Sequence, residues 1–339
     1  MDYRRLGRSS VKVSPLCLGT MMFGDQTDET TAARIIARAR DAGINFIDTA
    51  DVYNKGASEA IVGRAIAGER DWWVLATKVG NPMGRGPNER GLGRRWILQA
   101  AEASLRRLGT GHIDIYYLHK EDHATPLEET VSAIGQLIRD GKIRSFGVSN
   151  FRSWRIAEIV RLCDQRGIDR PVVSQPYYNA MNRMPEVEHL PACGYYGLGV
   201  VPYSPLARGV LTGKYDPDAA PADGSRAARD DTRMMQTEWR RESLVIARKI
   251  KAHAEARGMT PGQFAVRWLL NNRLVTAPVA GPRTEAQWED YLGALEHGFT
   301  AEDEALVDGF VASGHPSTPG YNDPAYPLEG RVTWTEAGT

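Results

Sequence analysis

Short apolar runs alternate with longer stretches of helical period along most of this 339-residue chain. The runs 13–18, 46–48, 73–78, 112–119, 143–148, 171–175, 198–203 and 274–279 read as buried strands, compact and rich in branched and aromatic residues. The stretches 30–42, 58–67, 94–108, 126–140, 153–165, 185–195, 238–257, 261–271 and 284–295 read as helices, and 301–312 adds one more. Gly43 and Gly141 stand where two of these helices should stop, and Ser58-Glu59 has the character of a helix cap. Strands alternating with helices imply a parallel sheet with right-handed crossovers, and eight such units close into a (β/α)8 TIM barrel, an α/β fold. The weak alternation around Gly7-Arg8-Ser9-Ser10 predicts an N-terminal β-hairpin over residues 1–13 that closes one end. A long polar loop is expected over 204–237. The barrel is expected to be one domain, 1–312. The irregular C-terminal tail 313–339, rich in Pro and Gly, is either a partly disordered end or a flap over the barrel mouth carried by Tyr321, Tyr326 and Trp334.

Three of the apolar runs end on ionisable residues: Asp48, Lys78 and His119, with Tyr53 five positions beyond the first. In such a barrel the carboxyl ends of the strands are where chemistry collects. Singly, a Tyr after a strand is most often packing and a Lys most often solvated, so it is the shared strand-end position that marks a site. A free phenol has a pKa near 10. A lysine about 4 Å away would favour the phenolate by roughly 4 kcal/mol at an effective dielectric of ~20, and so would make Tyr53 a more usable acid. Asp48 would hold Lys78 charged and aimed, and His119 would orient a carbonyl oxygen or relay a proton. This set suits hydride addition to a carbonyl, where an oxyanion must be protonated as it forms.

Composition narrows the classes. Hydrophobic content of 42% and charged content of 25% are those of an ordinary globular chain. Lys plus Arg equals Asp plus Glu at 42 each, so no global field draws nucleic acid or an acidic membrane. Three cysteines without paired or metal-like spacing argue for a reducing compartment, and neither a signal peptide nor a membrane span is expected; the reading is cytoplasmic. Cys17 reads as a small core residue. The segment His119-Lys120-Glu121-Asp122-His123 has its Glu misplaced for a zinc helix, so no metal is expected. Arg94-Arg95 and Arg106-Arg107 read as solvated faces of one amphipathic helix. No Gly-x-Gly-x-x-Gly follows a strand, which argues against a Rossmann site.

At its strand ends the chain resembles the aldo-keto reductases, in particular bacterial-type members near the potassium-channel β-subunit branch. The motifs that carry the likeness are Asn45-Phe46-Ile47-Asp48-Thr49-Ala50 with Tyr53, Ala76-Thr77-Lys78, Tyr117-Leu118-His119, Gly147-Val148-Ser149-Asn150, Gln175-Pro176-Tyr177-Tyr178-Asn179 and Tyr203-Ser204-Pro205-Leu206-Ala207-Arg208-Gly209. The resemblance extends over about residues 3–310. It implies that Asp48, Tyr53, Lys78 and His119 form a catalytic tetrad with Tyr53 as general acid. It also implies an NADP(H) site: Ser149, Asn150 and Gln175 on the nicotinamide carboxamide, Tyr203 against its ring, Gly19, Thr20 and Met21 beside it. Ser204, Leu206 and Arg208 would lie along the pyrophosphate, with Gly209, Leu211 and Lys214 nearby. Gly281, Arg283, Gln287 and Asp290 resemble the adenosine-phosphate segment. A guanidinium offers forked donors to phosphate, so Arg283 would favour NADP(H) over NAD(H), and the helix that follows can present its N-terminus to an anion.

Met22, Phe23, Asn81 and Lys120, with Tyr53 and His119, are the expected substrate contacts, and Met22 with Phe23 suggests an apolar aldehyde. Three departures from the family pattern stand out. Gly93 leaves the helix at 94 without a side-chain cap, so the loop before it is expected to be mobile. Asp290 is an unusual adenine contact. The charges of Lys120 to His123 are expected to line one side of the mouth. The implied function is NADPH-dependent reduction of a small aldehyde or ketone. The alternative is an NADPH-binding sensor or regulatory subunit with slow turnover; a lyase or isomerase on the same barrel is disfavoured by the expected cofactor residues.

Overall fold

The computed structural model describes residues 1–220, 227–228 and 231–327. Arg4–Arg5 (β1) pairs antiparallel with Lys12–Val13 (β2), which is the expected hairpin. The remaining strands form one eight-stranded parallel sheet: Cys17–Gly19 (β3), Phe46–Asp48 (β4), Val74–Val79 (β5), Ile113–Leu118 (β6), Ile143–Ser149 (β7), Val173–Gln175 (β8), Gly199–Val200 (β9) and Val279–Ala280 (β10). Its order, β10-β3-β4-β5-β6-β7-β8-β9, leaves β9 and β10 at its two margins. These margins meet: Val200 bridges Val275 in parallel, Thr276 N donates to Val200 O at 2.7 Å, and Val279 N donates to Pro202 O at 2.8 Å. The barrel is closed, which removes the edges an open sheet would leave unpaired.

The helices lie outside the barrel and run in chain order: Glu29–Asp41 (α1), Ala57–Ile66 (α2), Arg94–Leu108 (α3), Leu127–Arg139 (α4), Ser153–Arg166 (α5), His189–Tyr196 (α6), Thr232–Thr237 (α7), Arg241–Ala256 (α8), Pro261–Asn271 (α9), Glu285–Gly293 (α10) and Ala301–Phe310 (α11). The strands are continuous apolar runs because both of their faces are buried. Leu75, Tyr116, Leu118, Phe146 and Val148 point outward into the layer shared with the helices. Cys17, Phe46, Ala76, Ile115, Tyr117, Val173, Val201 and Ala277 point inward and fill the barrel, with Leu6 and Val13 of the hairpin packed on the same cluster. Cys17 is thus a core residue, as expected.

Local signals set several helix starts. Asp28 accepts from Thr31 N at the start of α1, and Thr260 and Thr300 each close a capping box. Ser58 and Glu59 do not cap α2, correcting the expectation. The N-cap is Gly56, and both side chains turn inward: the Ser58 hydroxyl donates to Thr20 O at 2.8 Å, and Glu59 binds Thr77 and Arg107. Gly93 provides no cap for α3, as its sequence requires, but Glu129 at the start of α4 accepts from Arg94 N at 2.8 Å and replaces it. The start of α3 is therefore held by the next helix. Arg107 is likewise drawn into an ion pair with the fully buried Glu59 rather than solvated.

The segment expected as a polar loop, 204–237, contains a 3-10 turn over Ala207–Thr212 and the helix α7. The described part of the tail docks. Ser317 N donates to Met181 O at 2.9 Å, Arg233 pairs with Asp323, and Arg152 Nη2 donates to Pro327 O at 2.7 Å. Its course therefore passes from β8's loop to that of β7, along the barrel mouth; Trp334 lies outside the described residues. Among the described residues no helix is long and apolar enough to cross a membrane.

Candidate active site

Alternation along the strands decides what faces the mouth. The inward residues Phe46, Ala76, Tyr117, Val173 and Val201 are each followed two positions on by Asp48, Lys78, His119, Gln175 and Tyr203. Side chains two apart on a strand share a face, so these residues form the next layer of the barrel interior, at its carboxyl rim. The apolar layer beneath them is their floor.

Lys78 is fully buried, and its Nζ is held from three sides. It pairs with Asp48 Oδ1, donates to Thr49 O at 2.8 Å, and donates to the Tyr53 hydroxyl at 3.1 Å. The second oxygen of Asp48 accepts from Gln175 Nε2 at 2.9 Å. Burial alone would lower the lysine's pKa, but Asp48 and Tyr53 outweigh it and hold the ammonium above its ordinary value. Buried ion pairs are costly unless their remaining hydrogen-bonding capacity is met, and here it is.

Tyr53 differs from the expectation in one respect. Burial raises its pKa above the ordinary phenol value; Lys78 pulls it down, but Asp48 pushes it up again. Burial, together with the counter-ion of the lysine, outweighs the pull of the ammonium. Tyr53 is thus a protonated phenol at neutral pH.

His119 lies edge-on to Tyr53, ring centroids 6.0 Å apart at 82°. Its pKa lies well below the ordinary value, through burial first and then Lys78 and Lys120, so the imidazole is neutral. Asn81 Nδ2 sits 3.0 Å from its Nδ1. With the amide donating there, the ring proton is on Nε2, available to a carbonyl oxygen.

The other candidates sort into three groups. Met21 and Met22 stand at the mouth, and Lys120 is half-buried beside His119. Phe23 is fully buried between barrel and helices, which removes it as a substrate contact. Asn54 grips the turn that carries Phe23, its amide donating to the carbonyls on either side of Met22. The charges after His119 are also committed elsewhere: Glu121 pairs with Arg152 and Arg155, and Asp122 accepts from Leu92 N at 2.7 Å and from Thr125. Glu121 and Asp122 thus hold neighbouring loops, while Lys120 is half-buried and His123 is exposed.

Around the far rim, Ser149 Oγ donates to Gln175 O at 2.8 Å, while Asn150 Nδ2 donates to His119 O at 3.0 Å and its Oδ1 accepts from Tyr203 at 2.8 Å. Tyr203 stacks on Tyr177 at 5.6 Å and 27°. Thr20 Oγ1 donates to Asp48 O, and Gly19 approaches β10 so closely that a Cβ would lie 2.6 Å from Val279 Cγ1. Ser204, Ala207 and Arg208 carry the chain through left-handed conformations, and Arg208 Nε donates to Thr237 at 3.1 Å. Leu206 is half-buried, Leu211 is fully buried, and Lys214 Nζ lies 5.0 Å from the Tyr215 ring, with Gly209 beside it.

At the last strand, Gly281 leads to Arg283, whose N–H donates to Gln287 at 2.9 Å and whose guanidinium is half-buried next to Gln26. Thr284 caps α10. Asp290 is directed away from this group: it accepts from Thr260 at 2.7 Å, at the start of α9. Sequence reasoning missed Thr49, whose carbonyl helps hold Lys78, and Asp51, which is fully buried with both carboxylate oxygens unpartnered. Burial and then Glu59 push Asp51 up to about 7. A carboxylate in the apolar-bounded turn before Tyr53 was the available signal.

A family model described as Aldo/keto reductase family matches residues 15–312. The chain is 39% identical over 308 residues to the Bacillus subtilis protein named uncharacterized oxidoreductase YrpG, covering 87% of this chain and 91% of that one. It is 38% identical over 309 residues to a probable voltage-gated potassium channel subunit beta of Arabidopsis thaliana, covering 87% and 92%. It is 32% identical over 329 residues to the L-glyceraldehyde 3-phosphate reductase of Escherichia coli K12, covering 93% of each.

Proposed function

This chain belongs to the aldo/keto reductase family, and from that premise we propose that it reduces aldehydes or ketones to alcohols with NADPH, Tyr53 supplying the proton. The observation that carries the reading is the contact of Lys78 Nζ with both Asp48 and the Tyr53 hydroxyl, 3.1 Å away, beside a neutral His119. The residues present suit such a cofactor. Tyr203 and Tyr177 provide an aromatic platform for a flat ring, Ser149, Asn150 and Gln175 provide amide and hydroxyl groups beside it, and Arg208 and Arg283 flank the rim with the N-terminus of α10. Asn150 and Gln175 are engaged with Tyr203 and Asp48, so accepting a carboxamide means exchanging those partners.

Bound there, the cofactor would supply the hydride that reduces the carbonyl carbon. The chain's own groups then act on the oxygen. His119 Nε2–H and the Tyr53 hydroxyl hold it as charge builds, Tyr53 gives up its proton, and the phenolate left behind is stabilised by the adjacent ammonium. Asp48 keeps that ammonium charged and in place. The proton returns to Tyr53 from solvent.

A second reading comes from the likeness to potassium-channel β subunits: a regulatory subunit that binds NADPH and turns over slowly. One experiment separates the two. NADPH consumption is followed with the pure protein against a panel of aldehydes and ketones, with Tyr53→Phe in parallel. Turnover in the wild type that drops by about 10²–10⁴-fold in the variant, with NADPH binding retained, supports the reductase. Tight NADPH binding without turnover on any substrate rejects it in favour of the regulatory reading, and equal loss of binding and turnover removes Tyr53 from the acid role.

A further inference from the structure

The turn that carries Tyr53 is left-handed for three residues in succession: Asn54 (φ 48°, ψ 41°), Lys55 (φ 55°, ψ 38°) and Gly56 (φ 91°, ψ −5°). Glycine takes this conformation freely, and at Gly56 a Cβ would lie 2.6 Å from Arg107 Cδ, so a larger residue would have to displace that side chain. The other two are L-residues with side chains, and each costs on the order of 1–2 kcal/mol there. Strain of this kind persists only where surrounding contacts over-determine it. Asn is among the residues that tolerate the conformation best, and here its side chain is used as well.

Asn54 Nδ2 donates to Phe23 O at 2.7 Å and to Met21 O at 3.1 Å. These carbonyls flank Met22 in the turn after β3. The alternate carbonyls of that turn are satisfied within it or from α2: Thr20 O accepts from Phe23 N and Ser58, and Met22 O from Asp25 N and Thr27 N. Asn54 thus supplies the bonds that tie this turn, with Met22 at the mouth, to the residue directly after the phenol. A right-handed residue at 54 would carry the amide away from both carbonyls.

We propose that Asn54 is a positioning residue of the active site, its amide clamping the Met22 turn at a set distance from Tyr53 so that a carbonyl resting against that turn meets the phenol. The inference rests on the reading of Tyr53 as the acid. It assigns the left-handed backbone a purpose: the conformation is what brings one amide within reach of two carbonyls on a different strand's loop. Misplacement of reacting groups by about 1 Å costs on the order of 10²-fold, so loss of the clamp should be seen in turnover.

Two substitutions test it. Asn54→Gly keeps the left-handed backbone and removes the amide. Asn54→Asp keeps size and backbone tolerance but sets an acceptor-only carboxylate against two carbonyl oxygens. Carbonyl reduction is measured as kcat and KM, with active sites counted by NADPH fluorescence titration, and Tyr53→Phe is run alongside. The expected result is kcat per NADPH-binding site lowered about 10–100-fold in the Gly variant and further in the Asp variant, with KM changed less than threefold and NADPH affinity retained. A structural role alone would lower the number of binding sites and leave kcat per site unchanged, and that result overturns the proposal. So does a loss confined to KM, or wild-type kcat in the Asp variant. If Tyr53→Phe itself turns over normally, the acid assignment fails, and this failure is read from a different protein than that of the clamp.

Discussion

The two sides of the barrel mouth are built by different means. On the side of β4, β5 and β6, the chemistry stands on strand positions: Asp48 and Lys78 follow Phe46 and Ala76 by two residues each, in strands whose pairing registers are set over several residues. On the side of β9 and β10, the strands are only two residues long, and the expected cofactor groups ride on the chain beyond them. There Ser204, Ala207 and Arg208 adopt left-handed conformations, and Asn150 and Tyr203 satisfy one another. A side chain fixed by sheet register cannot move without shifting the apolar layer below. One fixed by a loop and a single hydrogen bond can exchange partners. The side that carries the proposed acid is therefore preformed, whereas the far side holds its groups by contacts that can be exchanged.

This difference can be broken from either side. The largest effect is expected for Lys78→Met, which leaves Asp48 buried without its counter-ion and Tyr53 without its ammonium. Turnover should fall about 10³-fold, with NADPH binding, read by fluorescence, little changed. An equal loss of both would mean that the two sides are not separable. On the far side, Arg283→Ala should weaken NADPH about 10–100-fold and leave NADH nearly unaffected, since only the 2′-phosphate uses the guanidinium. Equal weakening of both cofactors would take Arg283 out of that role.

Asp51 sharpens the contrast, because on the preformed side even a destabilising group is locked in place. Its folded pKa is raised to about 7, so the folded state binds the proton more tightly than the unfolded chain. Its contribution is most favourable below the unfolded carboxyl range and declines as pH rises, levelling off above 7. Asp51→Asn should therefore gain stability relative to the wild type between pH 5 and pH 8, by on the order of 2 kcal/mol, in parallel denaturant melts. A gap between the two proteins that does not widen with pH would contradict this. The smallest effect is expected at the tail. Asp323→Asn removes a partly buried ion pair with Arg233 and should raise the NADPH dissociation rate two- to fivefold in stopped-flow fluorescence, with kcat for the chemical step unchanged.

Much of this was legible in the chain. Apolar runs of strand length between helical stretches implied eight parallel strands, and the barrel closes with that number. The helix Arg94–Leu108 begins and ends where its periodicity does, and Gly109 turns left-handed to stop it. The short end strands were the least legible: the run 198–203 overruns β9 on both sides, and 274–279 meets β10 only at Val279, because apolar character extends past the residues that pair. The loop 204–237 hid a 3-10 turn and a helix because neither repeats long enough to show a period.

The sequence by itself determined which residues share the rim, because alternation along a strand is local geometry: once Phe46, Ala76 and Tyr117 face inward, Asp48, Lys78 and His119 must stand above them. Only the tertiary structure decided what each rim charge meets. Glu121 and Asp290 were read as mouth and cofactor residues and are taken by Arg152 and Thr260, from elements 31 and 30 residues away. Phe23 was read as a mouth residue and is buried. The phenol of Tyr53, expected to be acidified, is not, because burial raises its pKa and Asp48 adds to that against Lys78's pull. Charge pairing and desolvation depend on neighbours brought from other parts of the chain, and no period along the sequence encodes them.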